Sequence, residues 1–249
     1  MSSQLPNLKQ STTSIVGFGP FGQLLAHVLE SFGFQSVVAV DPNDSQFEGA
    51  KTTRVNLEMA GKADLIWIAV PFSDFEIVCQ QLAPIVQPGA TIIDVLSVKE
   101  RPSEIMLRTF SEDVGLIASH PLFGPQSTGG DLKSRQWVFH ELRQTPWTKT
   151  LTSIIDEKGG EVVEISPMEH DRQMATIQGL TFFIGRSLLE LGVSEASLTT
   201  GYYKKLLALA EQEKQHSDAL FLTVESANPY ASEVRKRFLD QAQQIHDRL

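Results

Sequence analysis

The sequence predicts an α/β domain built on a parallel sheet, followed by an all-α domain. Two observations carry this. Through the first two-thirds of the 249 residues, short apolar, β-branched runs bounded by turn residues alternate with stretches of helical apolar spacing. That alternation is the pattern of a parallel sheet covered by helices on both faces. After Ser166 the strand-like runs stop, and the chain to Leu249 has helical periodicity only. The switch at Ser166-Pro167 sets the expected boundaries: a flexible segment over 1–13, the sheet domain over 14–166 and the helical domain over 167–249.

The elements follow in order. Ser14-Ile15-Val16-Gly17 reads as a strand running into the turn Gly17-Phe18-Gly19-Pro20-Phe21-Gly22, and Phe21 to Phe32 has helical spacing. Val37 to Asp41 is the second strand. Leu65 to Val70 is the third, apolar throughout as a strand buried on both faces should be. Strands over Thr91–Ser97 and Gly115–Ser119 follow, with helices near Ser73–Leu82 and Ser103–Phe110. Trp137-Val138-Phe139 and Glu161 to Ile165 close the series. Beyond the boundary, Glu169 to Leu191 reads as one long helix, with others over Tyr202–Glu213, Ser217–Ala227 and Glu233–Arg248. A helical domain this short with so many apolar faces calls for burial against a second subunit, so a homodimer through that domain is expected.

Bulk properties narrow the function. Hydrophobic residues make up 41% and charged residues 20%, ordinary values for a water-soluble globular chain. The net charge of −9 argues against nucleic acid or an anionic membrane as partner, since both select basic surfaces. A small anionic ligand stays open, because a helix N-terminus overrides the global sign locally. The single cysteine, Cys79, lies in an apolar helical context and reads as a buried thiol in a reducing compartment. The polar stretch Met1–Ser14 lacks the apolar core of a signal peptide, and no run approaches the roughly 18 apolar residues a membrane span requires. The expected location is the cytoplasm, and no metal-ligand cluster is expected.

Gly17, Gly19 and Gly22 follow a strand and open a helix, the context of a Rossmann dinucleotide fingerprint. Gly17 allows the tight turn, Gly19 lets the backbone approach a pyrophosphate, and Gly22 lets helix and strand pack closely. The expected cofactor contacts are the whole turn, Gly17, Phe18, Gly19, Pro20, Phe21 and Gly22, with the pyrophosphate on the helix N-terminus. Asp41, ending the second strand, is placed to accept from the adenosine ribose hydroxyls and to repel a 2′-phosphate. NAD is therefore preferred, with NADP the alternative should Arg54 approach from the next loop. Asp41 as a plain helix cap is the competing reading. Val70-Pro71, leaving the third strand, is where such a fold brings backbone near the cofactor, or else an ordinary strand exit.

Two further strand ends point at the same crevice beyond the carboxyl edge of the sheet. One leads through Asp94-Val95-Leu96-Ser97-Val98-Lys99-Glu100, the other through Ala118-Ser119-His120-Pro121. The Ser97 hydroxyl and the His120 imidazole could both reach one substrate oxygen there. Oxidation of an alcohol by a nicotinamide needs a base for the hydroxyl proton, and His120 is the leading candidate. With a reference pKa near 6.5, a histidine base makes turnover fall on the acid side of neutrality.

At these residues the chain resembles the prephenate/arogenate dehydrogenase family of tyrosine biosynthesis, from about Ser14 onward. The resemblance is carried by the glycine turn, the Asp94–Glu100 stretch, His120-Pro121-Leu122-Phe123-Gly124-Pro125 and Glu169-His170-Asp171-Arg172. Ile184-Gly185-Arg186-Ser187-Leu188-Leu189 and Thr200-Gly201-Tyr202-Tyr203-Lys204-Lys205-Leu206-Leu207 look like the compact, plant-type arogenate branch. It implies an NAD(P)-dependent oxidative decarboxylation of prephenate or arogenate, with His120 as base and Ser97 orienting it. Gln178 and Thr181 are then expected to face the substrate, and Arg186 to meet a carboxylate unless it pairs with Glu190 at i+4. His170-Asp171 is either a cleft contribution or a helix-start cap. One departure is Phe182, where many relatives carry a second histidine. It opens the question of which substrate side chain is recognised. No arginine stands where some relatives clamp the ring carboxylate, and Tyr202, Lys204 and Lys205 are the substitutes. A fused chorismate mutase or regulatory ACT domain is not expected, so inhibition by tyrosine would act at the active site.

Competing readings are a β-hydroxyacid or imine-reducing dehydrogenase, a methyltransferase and a non-catalytic NAD(H)-sensing module. The first explains the glycine turn without both the Ser97 and His120 stretches. The second would bind S-adenosylmethionine and ignore NAD, and the third would bind cofactor without turnover.

Overall fold

The computed structural model describes residues 6–127 and 129–249. Of the segment expected to be flexible, residues 1–5 lie outside the described ones. Asn7 closes a turn through its carbonyl, which accepts from the N–H groups of Gln10 and Ser11 at 3.0 Å each. Thr12 and Thr13 already belong to the first strand. The chain forms two compact units, Met1–Pro167 and Met168–Leu249.

The first unit is an eight-stranded sheet with helices. Its strands are β1 (Thr12–Val16), β2 (Ser36–Val40), β3 (Thr53–Arg54), β4 (Leu65–Ile68), β5 (Thr91–Asp94), β6 (Gly115–Pro121), β7 (Gln136–Arg143) and β8 (Glu161–Glu164). Its helices are α1 (Pro20–Phe32), α2 (Leu57–Ala60), α3 (Phe72–Leu82), α4 (Glu100–Thr109) and α5 (Trp147–Glu157). The strand order is β3-β2-β1-β4-β5-β6-β7-β8. The chain winds outward from β1 to β3, then returns to β4 on the other side of β1, so the sheet has a switch point between β1 and β4.

Alternation along the strands splits the apolar residues between two faces. Ile15, Trp67, Ile93 and Ile117 enter one core with Leu25 and Leu29 of α1 and Leu151 of α5. Ile66, Ile68, Ile92 and Leu116 enter the other with Phe75, Cys79 and Leu82 of α3 and Met106 of α4. A sheet filled on both faces explains the continuous apolar strands.

The sheet is not parallel throughout. β7 runs antiparallel to β6, with Pro121 opposite Trp137 and His120 opposite Val138. The physical reason lies in the connection. Leu122 N–H already bonds Gln136 C=O at 3.0 Å, so the chain turns back at the end where β6 finishes. No helix in the segment between β6 and β7, among the described residues, carries it back to the start of the sheet. β8 then pairs parallel to β7 after α5, a helix the apolar spacing did not reveal.

The second unit is all helical: α6 (Pro167–Met174), α7 (Thr181–Glu190), α8 (Gly201–Glu213), α9 (Asp218–Leu222) and α10 (Ala231–His246). The helix expected over Glu169–Leu191 is interrupted by a π turn, Ala175–Leu180, and a second π turn, Thr223–Ala227, follows α9. Side chains start two of the helices. Thr200 Oγ1 accepts from Tyr203 N–H at 3.1 Å and Ser217 Oγ from Leu220 N–H at 3.2 Å. α7 and α8 pack closely because Gly185 sits between them: a β-carbon there would stand 3.3 Å from Leu209 O and from Glu213 Cβ. Among the described residues no helix is long and apolar enough to cross a membrane.

Candidate active site

The glycine turn sits at the switch point. Gly17 has φ +97°, a conformation that disfavours any side chain, and a β-carbon on it would lie 2.6 Å from Ala69 O. At Gly22 a β-carbon would lie 2.2 Å from Gly17 O, so the glycine is what lets α1 start against β1. Gly19 meets nothing within 4 Å, leaving open space above the turn. It is also the N-cap of α1, with Pro20 at the first helical position and no acidic side chain in the first turn. The unpaired N–H groups of a helix start and its positive dipole end therefore face that space.

Asp41 anchors this turn. Its Oδ2 accepts from Phe18 N–H at 2.7 Å and its Oδ1 from Asn43 N–H at 2.9 Å. It does not cap a helix. Each oxygen keeps a second lone pair for a ribose hydroxyl. The Phe18 ring is buried and stacks on Phe47, centroids 4.6 Å apart, so only its backbone belongs to the turn's outer surface. Phe21 is half-buried and Pro20 exposed. Arg54 does approach: its guanidinium pairs with Asp44, reaches Asp41 C=O at 3.5 Å and lies 5.6 Å from the Phe47 ring centre. Val70 abuts the turn, its Cγ1 3.0 Å from the β-carbon Gly17 lacks, and Pro71 is the N-cap of α3.

On the other side of the switch point, β5 and β6 pair with Asp94 opposite Ala118. Ser97 lies three residues past Asp94 and is half-buried. His120 lies two past Ala118 and is buried at 4% exposure, still within β6. Asp94 and Lys99 form an ion pair with no solvent contact to speak of, at 0% and 1% exposure. Burial pushes the Asp94 carboxyl above its usual range, against the opposing pull of Lys99 and of the Leu96 and Ser119 N–H groups. Sequence reasoning quoted this stretch without giving Asp94 or Lys99 a role. The available signal was an acid ending an apolar strand and a lysine inside an apolar loop.

In the helical unit the candidates fall into separate places. Gln178 is in the first π turn, and its Oε1 is buried with no hydrogen-bond partner among the described residues. Thr181 Oγ1 bonds back to Ile177 C=O at 2.7 Å. Arg186 does not pair with Glu190. It binds Glu213 through Nε and Nη2, both at 3.1 Å, and Asp218 at 2.9 Å, and lies 4.4 Å from the Phe221 ring centre. Glu213 is 2% exposed, and a carboxylate buried that deeply demands a cation. Tyr202, 83% exposed, and the exposed Lys204 and Lys205 stand near the start of α8. His170 and Asp171 are buried inside α6, with Nδ1 and Oδ1 2.7 Å apart, so Asp171 is not a helix-start cap. Phe182 stacks on His216 at 4.2 Å, and His216 Nδ1 is 3.0 Å from Glu213 Oε2. Among the described residues no cluster of three or more His, Cys, Asp or Glu could hold a metal ion.

Residues 25–164 match the family model described as prephenate dehydrogenase, nucleotide-binding domain. The chain belongs to the prephenate dehydrogenase family. Curated relatives include the probable arogenate/prephenate dehydrogenase of Methanocaldococcus jannaschii, 29% identical over 98% of this chain and 57% of its own. Another is arogenate dehydrogenase 1, chloroplastic, of Arabidopsis thaliana, 29% identical over 90% of this chain and 37% of its own. The chain thus spans about half the length, or less, of these relatives. Among solved structures, prephenate dehydrogenase from Aquifex aeolicus in complex with hydroxyphenyl propionate and NAD+ is similar with TM-score 0.76 at 18% identity, covering 98% of this chain and 93% of that one. Synechocystis arogenate dehydrogenase follows with TM-score 0.69 at 19% identity, covering 95% and 92%.

For a member of the prephenate dehydrogenase family, the turn fits a dinucleotide. The family match begins at Leu25, past the turn, so this fit rests on the geometry: the open space over Gly19, the acid-free start of α1 and the Asp41 carboxylate beneath. The matched family model describes a nucleotide-binding domain, and the turn is the part of this unit whose geometry suits a pyrophosphate.

Proposed function

We propose that the chain catalyses NAD(P)-dependent oxidative decarboxylation of prephenate, arogenate or both, giving 4-hydroxyphenylpyruvate or tyrosine. One observation carries the reading: a serine three residues past β5 and a histidine near the end of the adjacent β6 lie at the sheet edge that also carries the glycine turn. The names of the relatives support the same substrate class.

His120, as the neutral imidazole, takes the proton from the ring C4 hydroxyl. Ser97 hydrogen-bonds the same oxygen and holds it toward His120. A bound nicotinamide would supply the acceptor for the C4 hydride; the ring carboxylate departs as carbon dioxide, its C–C bonding pair completing the aromatic ring, and His120 returns the proton to the C4 oxygen. The backbone of Gly17–Gly22 holds the pyrophosphate, Val70 and Pro71 border the cofactor, and Asp41 accepts from the adenosine ribose. That carboxylate favours NAD. Arg54, already beside Asp41 and Asp44, gives NADP a route of entry. Gln178 and Thr181 serve the substrate side chain, with Tyr202, Lys204 and Lys205 the candidates for its carboxylates, since Arg186 is spent on Glu213 and Asp218. The chain acts as a homodimer through its helical unit, in the cytoplasm, with Cys79 reduced and buried.

The test is the initial rate at 340 nm for prephenate and arogenate, each with NAD and NADP. Turnover in any of the four establishes the class, and the fastest names substrate and cofactor. No turnover in any, with NAD still bound, overturns the reading in favour of a related dehydrogenase or an NAD(H)-sensing module.

A further inference from the structure

The loop carrying Ser97 and the strand end carrying His120 are joined by one buried ion pair. Lys99 Nζ donates to Asp94 Oδ1 and to the carbonyl of Ser119. Asp94 Oδ1 also accepts from Leu96 N–H at 3.1 Å, and Oδ2 from Ser119 N–H at 3.4 Å. The Asp94 carbonyl accepts from Ser119 Oγ at 2.7 Å. Both main-chain polar groups of Ser119 are therefore held by the pair, and the held carbonyl belongs to the peptide bond that leads into His120. The same pair closes the chain from 94 to 99 into a loop with Ser97 near its tip.

Burying two charges is a poor way to stabilise a fold, since apolar side chains of like volume do as well or better. Apolar side chains could not hold the Ser119 peptide, however, nor tie the end of β5 to the start of α4. We infer that Asp94 and Lys99 are the positioning residues of the active site, setting Ser97 and His120 relative to one another. This rests on the proposed roles of those two groups. Misplacement of a reacting group by about 1 Å costs on the order of 10²-fold in rate, so a modest shift at Ser119 is enough to register.

The experiment compares Lys99→Met, Asp94→Asn and the double variant Asp94→Asn/Lys99→Met with the parent for kcat, KM, NADH binding and thermal midpoint. The double variant leaves no buried charge unpaired. Its midpoint returns toward the parent's, while kcat stays down roughly 10- to 100-fold with KM and NADH affinity little changed. A double variant that melts with the parent and keeps its kcat overturns the inference, because the pair is then structural only. Lys99→Gln, an uncharged amide on a shorter stem that can still donate, supplies a second comparison if the double variant does not fold.

A second readout needs no turnover. With ring-labelled histidine, the His120 signal is identified by its loss in His120→Asn, and in the Lys99 variants it shifts or broadens while the other histidines stay put. An unmoved His120 signal overturns the positioning role. A parent silent on every substrate, but with a His120 signal that responds to Lys99, overturns the proposed function and leaves the positioning role standing.

Discussion

Asp94, Glu213 and Glu225 are buried carboxylates with cations beside them, and they differ in how well they are satisfied. Asp94 is held by Lys99 and two N–H groups, and Glu213 by Arg186 and His216. Glu225, 5% exposed, pairs with Arg235 through Oε2, but its Oε1 has no hydrogen-bond partner among the described residues. Burial pushes its carboxyl above the ordinary range, against the pull of Arg235. A raised folded-state pKa means the native state holds its proton longer than the unfolded chain. The site's contribution to stability is then fullest below the unfolded pKa and is lost as pH rises through the folded one. Glu225→Gln should therefore gain thermal midpoint over the parent by more at pH 7 than at pH 5. An equal or smaller gain at pH 7 would contradict the assignment. Cys79 is the neutral counterpart: burial pushes its thiol up to about 12, so it should resist a thiol reagent at pH 8 until the protein is unfolded. At His120 the expectation concerns rate. His120→Asn should lose about 10²- to 10⁴-fold in kcat while NADH binds as before, and turnover within tenfold of the parent rules it out as the base.

The glycine turn separates two jobs that one motif performs. At Gly22 a β-carbon runs into the Gly17 carbonyl, whereas at Gly19 it enters open space on an extended backbone that alanine also adopts. Gly19→Ala should fold and melt close to the parent but bind NADH at least about tenfold more weakly, because the new methyl would stand where the pyrophosphate is proposed to approach the backbone. Gly22→Ala should lose midpoint and binding together. Parental affinity in Gly19→Ala would mean the cofactor does not cross that residue. The turn was legible because its chemistry is local, three glycines in a fixed spacing between a strand and a helix. The strands were legible from apolar runs, since both sheet faces are filled. Direction was not: nothing in the residues of β7 encodes that it returns antiparallel, which depends on where the preceding chain lies. β3, at two residues, is too short to show a period. The π turns were invisible because one widened turn barely shifts the apolar rhythm of a long helix. Arg186 was offered its neighbour Glu190, yet its partners Glu213 and Asp218 lie 27 and 32 residues away. The Asp94–Lys99 pair was missed for a related reason, that a sequence does not show a lysine to be buried.

The two units differ in how completely a single chain satisfies them. In the first, apolar side chains fill both faces of the sheet. In the second, Leu198, Tyr202, Leu206, Leu239 and Ile245 all present apolar surface, with Leu198 at 86% exposure. α10 is the sharpest case, because every residue from 236 to 249 is exposed. Fully burying one such side chain is worth about 1.5–3 kcal/mol, so several left in water in one small unit are a large unclaimed driving force. The proposed dimer would account for them, since a two-fold axis lets one helix serve both partners. Light scattering at micromolar concentration should then give a particle of twice the 27.6 kDa chain mass. Leu239→Glu/Ile245→Glu should reduce it to the monomer without disturbing the chain's own packing, since both side chains are more than half exposed, at 52% and 53%. NADH binding should survive, because the glycine turn belongs wholly to the first unit. A monomeric parent would remove the reason for proposing a dimer. A variant that stays dimeric would move the interface off α10 and onto the exposed side chains around α8, where Leu206→Glu is the corresponding test.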